Sequence, residues 1–141
     1  MERRATAVWQ GGLKDGQGTL TTDSKVLSNT PYSFSTRFEG SPGTNPEELL
    51  GAAHAGCFSM ALSAQLGEVG IKPERIETKA TITLEKLDAG FTITRSHLDV
   101  AVKAPGADRT KFEAAATKAK TGCPLSKVIK AEISMDARLE P

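Results

Sequence analysis

At 141 residues, with 38% hydrophobic and 25% charged side chains, the chain has the composition of one globular domain covering 1–141. Its formal net charge of +1 argues against a polyanion partner such as nucleic acid. No apolar run approaches the length of a membrane span, and MERRATAVWQ has no apolar stretch after its basic residues, so neither a membrane nor a signal peptide is expected and the cytoplasm is the default compartment.

The first third reads as strands and turns. Ala5, Ala7 and Trp9 alternate, Gly11, Gly12, Asp15, Gly16 and Gly18 supply turn chemistry, and Thr19–Thr22 continues extended. Tyr32, Phe34 and Phe38 alternate with Ser33, Ser35, Arg37 and Glu39, which predicts a strand with aromatics on one face and polar groups on the other. A helix then opens clearly, with Asn45 as N-cap, Pro46 in the first turn, and Glu47 and Glu48 complementing the dipole. Leu49, Leu50, Ala53, Cys57, Met60, Ala61 and Ala64 recur at three and four, predicting one apolar stripe, and Gly67 or Gly70 ends the helix. The small residues Gly51, Ala52, Ala53, Ala55 and Gly56 would let another backbone approach closely.

Ile76, Ala80, Ile82 and Leu84 alternate as a strand, Asp88-Ala89-Gly90 turns, and Phe91 and Ile93 return. The apolar phase then switches to Leu98, Val100 and Val102, which predicts a bulge near Arg95–His97. Asp108 caps a second helix with Phe112, Ala115, Ala116 and Ala119 on one stripe, and Gly122 stops it. Cys123-Pro124 opens a short helix to Ile129, and Ala131, Ile133, Met135, Ala137 and Leu139 form a last strand. The expected class is α+β, mostly antiparallel, with helices on one face.

Two cysteines in a reducing compartment argue against a permanent structural bridge. Cys123, as the N-cap before Pro124, sits where unpaired N–H groups and the dipole lower a thiol pKa. Cys57 lies mid-helix on the apolar stripe, where burial raises it. Local physics therefore nominates Cys123 as the reactive thiol, and Cys57 needs a cation from elsewhere.

The segment Asn45–Leu62, NPEELLGAAHAGCFSMAL, resembles the signature of the OsmC/Ohr family of organic hydroperoxide reductases, as does Cys123-Pro-Leu-Ser-Lys127. Arg37-Phe-Glu-Gly40 and Ala53-His-Ala-Gly-Cys57 resemble the OsmC branch more than the Ohr branch. The resemblance implies an OsmC-like fold of sheets around central helices, in an intertwined homodimer with its active sites at the interface. It implies a thiol peroxidase with no cofactor and no metal, induced under osmotic or stationary-phase stress. Cys57 matches the peroxidatic cysteine, Cys123 the resolving cysteine and Glu47 the site glutamate, with Arg37 as the activating arginine. The substrate is an organic hydroperoxide, which an apolar lining of Phe58, Met60 and Phe38 would suit. An external dithiol, with a lipoylated protein as the family's candidate, would reduce the Cys57–Cys123 disulfide.

Ten residues separate Glu47 from Cys57, about 15 Å of rise on one regular helix, so either the helix breaks or the glutamate serves the partner subunit's thiol, and the second is expected. Blander readings stand beside these. Cys57 has a lesser reading as a buried structural thiol, Glu47 one as a helix-dipole acid and Arg37 one as a solvated residue paired with Glu39, while His54 reads as a packed or hydrogen-bonded histidine rather than a catalytic one. His97 receives no role. The competing functions are a non-enzymatic redox sensor and a small-ligand or metal-binding module using Cys57, Cys123 and His54.

Overall fold

The computed structural model describes all 141 residues, which divide into two compact units, Met1–Leu49 and Leu50–Pro141. In the first unit β1 (Ala5–Gln10), β2 (Gln17–Thr22) and β3 (Thr30–Tyr32) form an antiparallel sheet in that order. Its register aligns Trp9, Gly18 and Tyr32 in one row. A Cβ at Gly18 would lie 2.5 Å from the Tyr32 ring and 2.6 Å from the Trp9 ring, so the glycine is what lets the two rings close over β2. Their centroids are 5.5 Å apart.

The strand expected through Tyr32–Phe38 stops at Tyr32, and Phe34–Phe38 is a short helix, α1. Positions 34 and 38 satisfy the helical i, i+4 spacing as well as the strand period, and the cap decides between them. Ser33 Oγ accepts from the Thr36 N–H at 3.3 Å while Thr36 Oγ1 accepts from the Ser33 N–H at 2.9 Å, a reciprocal capping box.

Helix α2 (Pro46–Glu68) starts as expected, with Asn45 Oδ1 accepting from the Glu48 N–H at 2.8 Å. It ends in a Schellman turn. Gly70 adopts φ +77°, its N–H donates to the Gly67 carbonyl, and the Ile71 N–H reaches back to the Leu66 carbonyl at 2.9 Å. By length and composition this helix is apolar enough to cross a bilayer, which corrects the reading that no segment is.

Its buried stripe also differs from expectation. Gly51, His54, Phe58, Leu62 and Leu66 face inward, whereas Ala53, Met60 and Ala64 are exposed, Met60 by 78%. Spacing alone fits either stripe, and volume chooses: the larger side chains fill the core while the small ones are left outside. Cys57 and Ala61 lie at the edge, partly buried.

The second unit is built on β4 (Arg75–Leu87), β5 (Gly90–Lys103) and β6 (Glu132–Glu140), in that order. The β4–β5 hairpin is antiparallel. Its register shifts where Thr83 pairs with Arg95 and Leu84 with Ile93, so Thr94 is the extra residue of a bulge, one position before the predicted stretch. β6 joins β5 in parallel, an exception to the mostly antiparallel pairing. A parallel neighbour requires a long crossover, here α3 (Arg109–Gly122) and α4 (Pro124–Val128). The core joins Phe58, Leu62 and Leu66 of α2 to Leu98, Val100 and Val102 of β5 and Phe112, Ala115, Ala116 and Ala119 of α3. Ser96 shares the inward face of β5 with Leu98 and Val100, as a period of two requires.

Candidate active site

Cys57 projects from the middle of α2 and Cys123 from the joint between α3 and α4. The chain turns there because the α3 ladder ends with the Cys123 N–H donating to the Ala119 carbonyl, and Pro124 takes the first position of α4. Both cysteines are free thiols, and their sulfurs are 2.9 Å apart. A disulfide bond is about 2.05 Å, so bond formation asks for under about 1 Å of travel. Cys57 is partly exposed and Cys123 is fully buried.

The two thiols share their environment unequally. Burial pushes the Cys57 thiol up, and its contact with the Cys123 sulfur raises it further; a hydrogen bond with the Leu125 backbone only partly offsets this. Burial would raise Cys123 too. It is outweighed first by the adjacent Cys57 thiol and then by the nearby Ser126 N–H and hydroxyl and the Leu125 backbone, so Cys123 lies below the usual thiol range although its sulfur makes no capping hydrogen bond. The first proton lost from the pair is therefore the one on Cys123, through the Cys57 contact first rather than through a side-chain cap on α4. No lysine or arginine of this unit acts on Cys57.

Behind the thiols lies a buried polar chain. His54, on the inner stripe of α2, has no exposed surface. Its Nδ1 is 2.7 Å from Ser96 Oγ on β5, and its Nε2 is 2.9 Å from Ser126 Oγ on α4. Burial pushes the imidazole down from its ordinary value, so it is neutral at pH 7. With both nitrogens engaged by hydroxyls, His54 is satisfied as it stands. No group of three or more histidine, cysteine or acidic side chains is arranged to hold a metal ion.

The first unit contributes a partly buried ion pair. Arg37 Nη2 and Nε donate to Glu47 Oε1 at 2.7 and 3.1 Å, and Nε also approaches Oε2 at 3.2 Å. The partner is thus Glu47, which is almost wholly buried, rather than the neighbouring Glu39. Local structure sets this up. The box at Ser33 fixes α1, and Asn45, besides capping α2, donates its side-chain amide to the Thr36 carbonyl at 3.4 Å. That ties the end of α1 to the start of α2. The Arg37 guanidinium then packs 5.1 Å above the Phe38 ring. A cavity of about 270 Å³ opens beside it, lined by Trp9, Leu13, Tyr32, Phe34 and Phe38 together with Arg37 itself.

Of the apolar lining expected from sequence, Phe38 is there, but Phe58 belongs to the core and Met60 is exposed. Trp9, Tyr32 and Phe34 were not singled out for the lining. The signal was present in the alternation ending at Trp9 and in Gly18, the only residue type that fits between two aromatic strands there. Ser96 gave no signal, and Ser126 gave only its place in the Cys123–Lys127 motif, because a serine's partner 42 or 72 positions away leaves no local pattern.

The profile of the OsmC-like protein family matches residues 38–138. The chain is 53% identical over 140 residues to Peroxiredoxin OsmC of Escherichia coli K12, covering 99% of this chain and 98% of that one. It is 32% identical over 124 residues to Organic hydroperoxide resistance protein OhrB of Bacillus subtilis 168, covering 87% and 88%. Among solved structures, OhrB of Bacillus subtilis superposes with a TM-score of 0.68 at 27% identity, over 97% of this chain and 98% of that one. An OsmC-like protein from Mycoplasma pneumoniae gives a TM-score of 0.77 over 100% and 99%, at 16% identity, a likeness of fold.

Proposed function

Because this chain belongs to the OsmC-like protein family, we propose that it is a thiol-dependent peroxidase that reduces organic hydroperoxides to alcohols. The observation that carries this reading is the free thiol pair at 2.9 Å, on one partly exposed and one fully buried residue. The names Peroxiredoxin OsmC and Organic hydroperoxide resistance protein support the same activity.

Accessibility supports the order of events. A hydroperoxide meets Cys57 before it meets Cys123, so Cys57 is the attacking thiol although Cys123 ionises more readily in the single chain. The Cys57 thiolate attacks one peroxide oxygen, the O–O bond breaks, and the other oxygen leaves with a proton as the alcohol. Cys57 is then a sulfenic acid. Cys123 attacks its sulfur, hydroxide departs and is protonated to water, and the Cys57–Cys123 disulfide forms. An external dithiol, with a lipoylated protein as the candidate, reduces it. Such a cycle suits a reducing cytoplasm.

The missing requirement is a cation for Cys57, and Arg37 is the candidate. Glu47 holds two of its donors and presents the guanidinium beside the aromatic cavity, which suits an alkyl or aryl group. α2 is a continuous helix, and ten residues of it span about 15 Å. We therefore assign the Arg37–Glu47 pair to the Cys57 of a partner subunit in a homodimer. The chain alone leaves much apolar surface uncovered in support of this. All six β1 residues are exposed, and so are Ala52, Ala53, Gly56, Met60 and Ala64 on the outer face of α2. The family match, 38–138, spans parts of both units, which supports reading 1–141 as one functional domain.

The first test is turnover of cumene hydroperoxide with a dithiol. Cys57→Ser abolishes it; Cys123→Ser reacts once and leaves a trappable sulfenic acid on Cys57. First-turnover activity surviving in Cys57→Ser reverses the assignment. The second test mixes Glu47→Gln and Cys57→Ser subunits. If the glutamate acts across the dimer, mixed dimers regain one intact site of two; if it acts within its own chain, mixing restores nothing.

A further inference from the structure

We propose that His54 is a positioning residue for the resolving thiol, acting through Ser126 to hold Cys123 as the thiolate that attacks oxidised Cys57. This rests on the reading of Cys123 as the resolving cysteine. The observation behind it is a buried line: Ser96 Oγ, 2.7 Å to His54 Nδ1; His54 Nε2, 2.9 Å to Ser126 Oγ; Ser126 in the first turn of the helix that begins at Cys123; and the buried Cys123 sulfur, 2.9 Å from Cys57.

Donor and acceptor counting gives the line a direction. A serine hydroxyl has one proton and rotates freely, so Ser126 alone would point it at sulfur only part of the time. A neutral imidazole has one N–H and one acceptor nitrogen. When Nε2 carries the proton, it donates into Ser126 Oγ and occupies the side from which that oxygen would otherwise be free. The Ser126 proton is then left for the Cys123 sulfur. Nδ1 is bare in this tautomer and accepts from the Ser96 hydroxyl. Every member donates toward Cys123, which is the arrangement that favours negative charge on that sulfur, and a run of such bonds in a low-dielectric interior polarises itself.

The opposite tautomer reverses the line. Nδ1–H donates to Ser96, Nε2 accepts from Ser126, and the Ser126 oxygen is open to a Cys123 S–H. The tautomer of one buried ring is thus tied to whether Cys123 holds its proton. The ring stays neutral throughout, since an imidazolium has no carboxylate facing it here and both neighbours are hydroxyls.

The step this serves balances simply. Cys123 gives up its proton, its sulfur lone pair forms the S–S bond, the Cys57 S–O bond breaks, and the departing hydroxide takes up a proton as water. Cys57 is reduced from sulfenic acid and Cys123 is oxidised from thiol. Nothing beyond the sulfenic acid already formed is required. The thiolate is the attacking form, so bringing the Cys123 pKa down toward ambient pH speeds the step, less than in proportion because nucleophilicity falls with the pKa.

The test separates positioning from packing. In a Cys57→Ser background only Cys123 titrates as a thiol, and its ionisation is read from thiolate absorbance. Ser126→Ala, which removes one hydroxyl, and His54→Phe, which keeps a flat ring without donors, should each move it up by about 1 unit, the scale of one hydrogen bond to a charged sulfur. His54→Gln, whose amide N–H stands in for Nε2–H, should stay close to the parent. In single-turnover reactions with Cys57 present, disulfide formation should slow about threefold relative to sulfenic acid formation in His54→Phe, an about tenfold smaller thiolate share partly offset by its greater nucleophilicity, and recover in His54→Gln. An unmoved titration in Ser126→Ala overturns the proposal, and so does a His54→Gln that behaves like His54→Phe. The titration needs no peroxide, so a chain that fails as a peroxidase would still answer it.

Discussion

The two units handle polar groups in opposite ways. In Met1–Leu49 only Gly16, Gly18 and Glu47 are buried, and the polar feature is a full ion pair, Arg37–Glu47, beside an aromatic cavity. In Leu50–Pro141 a continuous apolar core surrounds thiols, hydroxyls and a neutral imidazole, with no charge among them. Burying an ion costs far more than burying a hydrogen-bonded neutral group. The difference teaches that this chain keeps its guanidinium where solvent still reaches it and builds its core from apolar side chains and hydrogen-bonded neutral groups around the one thiol pair that takes on charge. Stability and charge stabilisation are thereby assigned to different parts of the molecule, and substitutions should separate them.

The largest effect should come from the core. Phe58 has no exposed surface and packs at the centre of the second unit. Phe58→Ala should lower the unfolding free energy by about 3–5 kcal/mol, read by denaturant titration. A loss below about 1 kcal/mol would mean that the second unit is not the source of stability.

Arg37→Lys probes the other side. It keeps the charge but loses the planar fork that meets Glu47 through two nitrogens. Stability should change by less than about 1 kcal/mol, because the guanidinium is partly exposed and such pairs are worth little. Peroxide turnover should fall about 10- to 100-fold, as for loss of an oriented donor at developing charge. A variant that lost as much stability as Phe58→Ala would erase the distinction between the units.

How much of this was legible beforehand follows the same division. The caps were readable, because Asn45-Pro46, Asp108 and Cys123-Pro124 act within four residues of themselves. The phase switch gave the Thr94 bulge to within a residue. The α1 helix was not read, since Phe34 and Phe38 fit two periods and the deciding box uses Thr36 where Glu or Gln is the usual signal. The inner face of α2 was misjudged because Ala, Met and Cys satisfy the same spacing as Phe58, Leu62 and Leu66, and only packing volume tells them apart. In the candidate site, Cys57, Cys123, Arg37 and Glu47 stood out through motif resemblance. The partnership of Arg37 with Glu47 and of His54 with two serines depends on contacts between distant segments, which no local pattern encodes.

The smallest effect is also the most diagnostic of an uncharged core. Burial holds the His54 imidazole below its ordinary value of 6.5. Above pH 6.5 the ring is neutral in both folded and unfolded chains, and the full stability is present. As pH falls through 6.5, the unfolded chain takes up a proton that the folded chain refuses, and stability is lost until the folded value is reached. The slope contributed by this one group is at most about 1.4 kcal/mol per pH unit. Parent and His54→Gln share every carboxylate and His97, so those contributions cancel in the difference. Unfolding free energies at pH 7.5 and 5.5 should therefore show the parent losing up to about 1.4 kcal/mol more than His54→Gln on acidification. Equal losses would mean that the folded chain accepts the proton. A charged ring would then sit between Ser96 and Ser126, and the second unit would tolerate in its interior the kind of charge that the first unit holds near its surface.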